Sequence, residues 1–322
     1  MTARGRGRRI RDRLIVRGLL AASWLACRLP ETPLVRLAEV AGDAWYRLTP
    51  ERAAQARRNL RRVAVALAAR GRGPDDVRAA ASDPRALEAL VRRAYRHSAR
   101  YYLEVARTPA IRSSDLERRL TIENPDVVEG SFGGDAVIFV GLHFGSIELP
   151  GLLLASRVGG AVAPMETIDD PELQSWFVRT RGAMGIRIVG LREARRELLE
   201  ALRSGTSVGL VGDRDLTGGG VLTELFGAPA RLPLGPAMLA VESGARPYVV
   251  GVRRGRPGRY RGRLETIDVP PSGTRRERVT TTTAALARAF ERIIEDAPEQ
   301  WWAVFFPIWP DLEDAESAGA GA

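Results

Sequence analysis

The stretch AVIFVGLHFGSIELPG, Ala136–Gly151, sets an imidazole and a carboxylate five residues apart, at His143 and Glu148. A neutral imidazole held by a carboxylate is a general base with its orienting partner. The surroundings suit that chemistry. Ala136–Val140 is an uncharged apolar run after the Gly133-Gly134 turn signal, and reads as a buried strand within Asp135–Leu142. Ser146 reads as the N-cap of a following helix, so His143 falls at the C-terminal end of a strand, where open α/β sheets place their ligands. A lone histidine there could equally be a satisfied structural residue; the glycine turn and the carboxylate favour chemistry. Ser146 sits in no G-x-S-x-G elbow, which argues against a serine hydrolase. The only other histidine, His97, lies in a basic helical run and reads as a solvated or packing residue.

A second charged constellation, Gly212-Asp213-Arg214-Asp215-Leu216-Thr217, follows another buried strand, and Arg231 lies beyond it. Asp213 and Asp215 suit either a site or an ordinary turn. Arg231 suits either a phosphate or a plain surface. Trp301 and Trp302 read as packing residues.

Composition removes several chemistries. All 49 basic side chains are arginines, so no P-loop, Schiff-base or kinase-type lysine exists. The single cysteine, Cys27, excludes a disulfide framework and a cysteine zinc site, and two distant histidines argue against a metal centre. Residues 1–62 hold 15 Arg against 5 Asp and Glu, which is the whole net charge of +10. A basic N-terminal region on a neutral body suits an anionic membrane surface. No zinc finger, RNP motif or basic zipper accompanies it, so no nucleic-acid partner is expected.

The elements that must position these residues fall into two parts. Residues 1–120 read as an all-helical, membrane-associating region. Met1–Arg13 is expected to be frayed. Leu14–Leu29, LIVRGLLAASWLACRL, has an uninterrupted apolar core too short to span a bilayer and resembles a signal peptide in outline. It reads better as an interfacial helix with Trp24, Arg17 and Arg28 at headgroup level, or as an amphipathic helix packed on the body. Helices follow at Pro33–Leu48, Pro50–Arg70 and Pro84–Ala106. Residues 121–310 then alternate strands with helices, which predicts an α/β core with a central, mostly parallel sheet flanked by helices. Residues 311–322 are acidic and rich in small residues, and are expected to be disordered.

HFGSIE at 143–148, the Asp-Arg-Asp-Leu-Thr run at 213–217, Phe226–Ala237 and Pro298-Glu299-Gln300-Trp301-Trp302 together resemble bacterial membrane-associated glycolipid acyltransferases. That family includes the lipid A late acyltransferases and the phosphatidylinositol mannoside acyltransferases. The Arg57–Val63 helix is similar too, and the likeness covers residues 10–310. The 213–217 run looks closer to the mannoside branch, which has Glu-Arg-Asp-Leu-Thr there; Asp213 shortens that acid by one methylene. At Pro164–Thr167 the lipid A branch usually carries an arginine that this chain lacks.

The resemblance implies that His143 deprotonates a sugar hydroxyl, which attacks an acyl thioester. It implies that the acid at 213 pairs with the histidine while Glu148 supports the site structurally. The oxyanion then needs donors, either backbone N–H groups around Phe144–Ser146 or an arginine such as Arg214 or Arg231. Arg214, Arg231, Ser146 and Asp215 are the expected substrate contacts. The implied co-substrate is acyl-CoA or acyl-carrier protein, with no cofactor and no metal. The implied acceptor is a membrane glycolipid, foremost a phosphatidylinositol mannoside, with a lipid A or lysophospholipid acceptor as the alternative. The enzyme is expected to be a monomer on the cytoplasmic face of the plasma membrane, peripheral or monotopic. A lipid esterase and a non-catalytic membrane partner are the competing classes. The missing serine elbow opposes the first, and the intact His143–Glu148 pattern opposes the second.

Overall fold

The computed structural model describes residues 3–132, 134–215 and 218–313. Six helices come first: α1 (Ala3–Ala26), α2 (Glu31–Leu48), α3 (Pro50–Arg70), α4 (Asp75–Ala79), α5 (Pro84–Arg107) and α6 (Ser113–Arg119). Helix α3 shows why this region is helical. Pro50 occupies its first turn, and Gly71 closes it in the left-handed conformation, φ 62°. Between them Ala56, Leu60, Val63 and Leu67 recur at helical spacing and are buried. Asn59 donates from Nδ2 to the Val304 and Phe306 carbonyls, at 2.9 and 2.8 Å, and ties α3 to the C-terminal segment.

The α/β part holds β1 (Leu120–Ile122), α7 (Pro125–Phe132), β2 (Ile138–Gly145), α8 (Glu148–Val158), β3 (Ala161–Met165), α9 (Pro171–Gly182), β4 (Ile186–Gly190), α10 (Ala194–Arg203) and β5 (Val208–Val211). After these come β6 (Val221–Leu225), β7 (Ala228–Leu232), α11 (Gly235–Ser243), β8 (Pro247–Arg254), β9 (Tyr260–Thr266) and α12 (Arg275–Ile294). The main sheet has seven strands in the order β1-β9-β8-β2-β5-β3-β4. Only the β8–β9 pair is antiparallel. One buried cluster joins Leu60, Leu90 and Tyr95 of the helical region to Ile138, Val249, Phe290 and Trp301, so the helices and the sheet share a core.

The sequence expectations need five corrections here. Strand β2 starts and ends later than Asp135–Leu142 and includes His143. Ser146 is not a helix cap: α8 begins at Glu148 with Ile147 at its N-cap, and no side chain caps it. The lead-in expected to fray is helical from Ala3. The β6–β7 hairpin is a separate two-stranded antiparallel sheet that the sequence reading passed over. Its turn is Phe226-Gly227, with φ 50° and 77°, rather than the usual Asn-Gly signal. Finally, Asp311 of the expected disordered tail is ordered by an ion pair with Arg62; residues 314–322 lie outside the described residues.

Among the described residues no helix is long and apolar enough to cross a membrane. Leu14, Leu19 and Trp24 of α1, and Leu37, Val40 and Leu48 of α2, are exposed. The Arg28 guanidinium lies 3.7 Å from the centroid of the Trp24 ring.

Candidate active site

Strands β2 and β5 are parallel neighbours whose register pairs each residue with the one 70 positions later, from Ile138 with Val208 to Gly141 with Val211. Two residues beyond the last rung, that offset sets His143 beside Asp213. The Asp213 Oδ1 accepts from His143 Nδ1 at 2.8 Å, and Oδ2 accepts from the His143 backbone N–H at 3.0 Å. Two glycines make the approach possible. Gly212 packs against Val140 and Pro236 so closely that a Cβ would sit 2.7 Å from Val140 Cγ1. Gly145, at φ 53°, follows a register shift between β2 and β8, and a Cβ there would lie 1.9 Å from the Val252 carbonyl oxygen. Such irregularities at a strand end re-aim the side chains around them.

Asp213 is 2% exposed, and a third donor, Trp301 Nε1, reaches its Oδ2 at 2.7 Å. Burial pushes the Asp213 carboxyl up. The charge of His143 and the hydrogen bonds from His143 and Trp301 outweigh it and hold the group below the ordinary aspartate value. Trp301 is fully buried. It is fixed by the residue before it, because Gln300 accepts from Arg254 N at 2.7 Å and donates to Arg254 O at 2.9 Å. The reading of Trp301 as packing alone was therefore incomplete. The Pro298–Trp302 motif carried the signal, but nothing in the sequence pointed the indole at Asp213. The Trp302 ring lies 5.3 Å from the His143 ring, centroid to centroid.

Glu148 takes a different partner. Arg181 of α9 donates to it through Nη2 at 2.7 Å and Nε at 3.3 Å, and the pair is largely buried. So Glu148, the first residue of α8, does not orient His143 as its nearness in sequence suggested. Burial works against the Arg181 charge, but Glu148 raises its pKa overall. Arg181 also reaches the Met165 sulfur at 2.9 Å. The sequence reading did not single out Arg181. It comes from the next helix, and only packing brings it to the segment where the lipid A branch has its arginine. Glu148 and Arg181 line an apolar cavity of about 150 Å³ between the sheet and α8, walled by Phe139, Leu142, Phe144, Ala163 and Ile188 among others.

The remaining expected site residues divide. Arg214 lies on the His143 side, its Cζ 3.6 Å from the Phe306 centroid. Asp215 is the turn residue its alternative reading described: its two oxygens accept from the Gly218 and Gly220 amides at 3.0 and 2.7 Å. Leu216 and Thr217 lie outside the described residues. Arg231 is exposed, bonds the Gly220 carbonyl at 3.2 Å, and shares a cleft with Asp213, Arg214 and Asp215. Ser146 is buried and its N–H is taken by the Val252 carbonyl at 2.8 Å. With the Ser146 N–H spent on the Val252 carbonyl, the Phe144–Ser146 backbone expected to bind an oxyanion is partly used elsewhere. His97 is a packing residue. Burial first, then Arg254, Arg100 and Arg93, hold its pKa well below the usual value. Among the described residues no cluster of His, Cys, Asp or Glu is arranged to hold a metal ion.

A buried carboxylate on one imidazole nitrogen leaves the other free to take a proton, and the adjoining cavity is apolar. This geometry suits base-assisted attack on an ester or thioester carrying an alkyl chain. Comparison with known proteins shows the family. The family model described as bacterial lipid A biosynthesis acyltransferase matches residues 9–306. The chain is 32% identical over 318 residues to a phosphatidylinositol mannoside acyltransferase of Mycobacterium tuberculosis, covering 92% of this chain and 90% of the other. It is 30% identical over 274 residues to the protein of that name from Mycolicibacterium smegmatis, covering 83% of each. The chain belongs to the bacterial lipid A biosynthesis acyltransferase family and is an acyltransferase.

Proposed function

We propose that this acyltransferase moves an acyl chain from acyl-CoA or acyl-carrier protein to a hydroxyl of a membrane glycolipid, foremost a phosphatidylinositol mannoside, and does so as a monomer. The observation that carries the reading is the His143–Asp213 pair at 2.8 Å, set beside an apolar cavity. The acyl chain enters that cavity, where each buried methylene contributes about 0.8 kcal/mol. His143 Nε2 takes the proton of the sugar hydroxyl as the oxygen attacks the thioester carbonyl. Asp213 accepts from Nδ1 and stabilises the imidazolium that forms. The tetrahedral oxyanion needs positive charge, and Arg181, which lines the cavity, offers it on the acyl side. As the C–S bond breaks, the thiolate leaves with the proton held by His143. Carbon–oxygen gained and carbon–sulfur lost balance the step, with no covalent acyl-protein.

Acceptor and enzyme meet at the bilayer. The exposed apolar residues of α1 and α2 and the arginines among them suit the anionic cytoplasmic leaflet of the plasma membrane as a peripheral contact. Vesicle co-sedimentation should therefore fall when residues 1–30 are removed or salt is raised. The deciding assay incubates the protein with acyl-CoA and a panel of lipid acceptors, read by mass spectrometry. A glycolipid gaining one acyl mass supports the reading. Release of free fatty acid alone, with an acyl group trapped on Ser146, would make the protein an esterase.

A further inference from the structure

Two half-buried arginines near the catalytic pair are held by rings alone. Arg52, in the first turn of α3, has its guanidinium carbon 5.3, 5.5 and 5.2 Å from the centroids of Trp45, Phe305 and Phe306. Arg214, next to Asp213, lies 3.6 Å from the centroid of that same Phe306 ring. Among the described residues neither arginine has a hydrogen bond or an ion pair. Other inward-facing arginines are matched: Arg57 with Glu88, Arg181 with Glu148 and Arg254 with Glu104. The carboxylates that act on Arg214 are Asp213 and Glu166. Asp213 is taken by His143 and Trp301, and Glu166 is exposed and forms no ion pair with Arg214. Burial first, and then the charge of Arg52, hold the Arg214 pKa below its ordinary value against those two carboxylates. A guanidinium resting its face on a ring keeps its in-plane N–H groups for a ligand.

The two guanidinium groups lie no further apart than the sum of their distances to the shared ring. One phosphate can therefore accept from both, through charge-assisted bonds of about 2.8 Å. The pair is also placed with respect to the base. Phe306 lies 5.2 Å from Trp302, and Trp302 lies 5.3 Å from His143. The acyl cavity is lined by other residues, among them Glu148 and Arg181. Arg52 in turn packs on Trp45 of α2, the helix whose Leu37, Val40 and Leu48 are exposed. An anion at Arg52 thus sits beside the apolar face that suits a bilayer, where lipid phosphates lie.

We propose that Arg52 and Arg214 clamp the phosphodiester of the acceptor lipid, so that a glycolipid without a phosphate is a poor acceptor. This inference rests on the acyl-transfer reading and narrows its acceptor. With the phosphate fixed across Trp302 from His143, a headgroup sugar spans the gap and brings its hydroxyl to Nε2. The phosphates of an acyl-CoA donor share this chemistry. A donor, however, is placed by its acyl chain in the cavity that Arg181 lines, whereas Arg52 packs on the helix that faces the bilayer.

The test compares transfer to a phosphatidylinositol mannoside with transfer to a neutral mannosyl diacylglycerol, using the full chain as wild type, Arg52→Gln and Arg52→Lys. Wild type should favour the phosphorylated acceptor roughly tenfold in kcat/KM, by the strength of one charged hydrogen-bonded contact. Arg52→Gln should raise KM for that acceptor about tenfold, with KM for acyl-CoA and use of the neutral acceptor unchanged. Arg52→Lys keeps the charge without the fork and should recover part of the loss. Its melt should match wild type, so it carries the comparison if Arg52→Gln folds poorly. Equal use of the two acceptors by wild type, an acceptor KM that ignores both substitutions, or a rise confined to acyl-CoA would overturn the clamp and leave acyl transfer standing. Calorimetric titration with short-chain phosphatidylinositol and with inorganic phosphate needs no turnover. Lipid binding should weaken about tenfold in Arg52→Gln, and inorganic phosphate should bind wild type more weakly than the lipid does. Lipid binding unchanged in the variant, or inorganic phosphate bound as tightly as the lipid, would also overturn the clamp. A failure to acylate any acceptor would count against the acyl-transfer reading, while the titration still judges the phosphate site by itself.

Discussion

Asp213 and Glu148 are both buried carboxylates near the end of β2, at 2% and 7% exposure, yet they serve different partners. Asp213 accepts from both nitrogens of His143 that face it and from Trp301, which leaves it fixed beside a group that changes charge. Glu148 is locked to Arg181, which is charged at all working pH values. The first arrangement can answer a proton transfer. The second holds the mouth of a cavity in shape and keeps a positive charge in it. Nearness along the chain offers Glu148 as a partner for His143, while the resemblance implied Asp213; the adjacency of two parallel strands sets Asp213 there.

The contrast is broken most directly at the histidine. His143→Ala should abolish transfer with the fold intact. Asp213→Asn should lower turnover by about 10⁴-fold, by analogy with the aspartate of serine proteases, because an amide cannot stabilise an imidazolium. If Asp213→Asn turns over like wild type while Glu148→Gln is inactive yet fully stable, the roles are reversed.

Glu148→Gln should show mainly as lost stability. Breaking a buried ion pair from one side costs about 3 kcal/mol, which leaves Arg181 charged and unmatched. For a chain of this size that is a fall of about 4 °C in Tm, with a smaller loss of activity. A thermal melt superimposable on wild type would remove Glu148 from its structural role.

Trp301→Phe keeps the buried ring and deletes one donor to Asp213. A hydrogen bond to a charged group is worth about 1.5–3 kcal/mol, so kcat should fall roughly 10- to 100-fold with KM little changed. In an Asp213→Asn background the same substitution should have little further effect on kcat. An equal loss in both backgrounds would return Trp301 to the role of core filler.

The smallest effect is the dependence of stability on pH. The Asp213 carboxyl is held below its ordinary value in the folded protein. Its contribution is therefore present above the unfolded pKa, about 3.9, and is lost as pH falls through the lower folded value. The Tm difference between wild type and Asp213→Asn should be flat above about pH 5 and shrink in acid. A difference that widens as pH drops would contradict the assignment.

Much of this was legible in the residues alone. Apolar periods and turn signals placed α3 at Pro50–Arg70 and the strands around His143 and Asp213, because burial at a helical or strand period is a local pattern. The motifs identified the family, which the comparisons bear out. Three things were decided only in three dimensions. The β2–β5 register is what carries Asp213 to His143 across 70 residues; the resemblance implied that pairing, but no local motif encodes the strand order that makes it, which is set by how the sheet buries both faces. The β6–β7 hairpin formed around a phenylalanine at positive φ, where its N–H finds Glu291 on α12, a contact no local propensity encodes. Arg181 and Trp301 reached Glu148 and Asp213 because buried charges must be paired wherever packing supplies a partner, and the chain between them carries no record of that pairing.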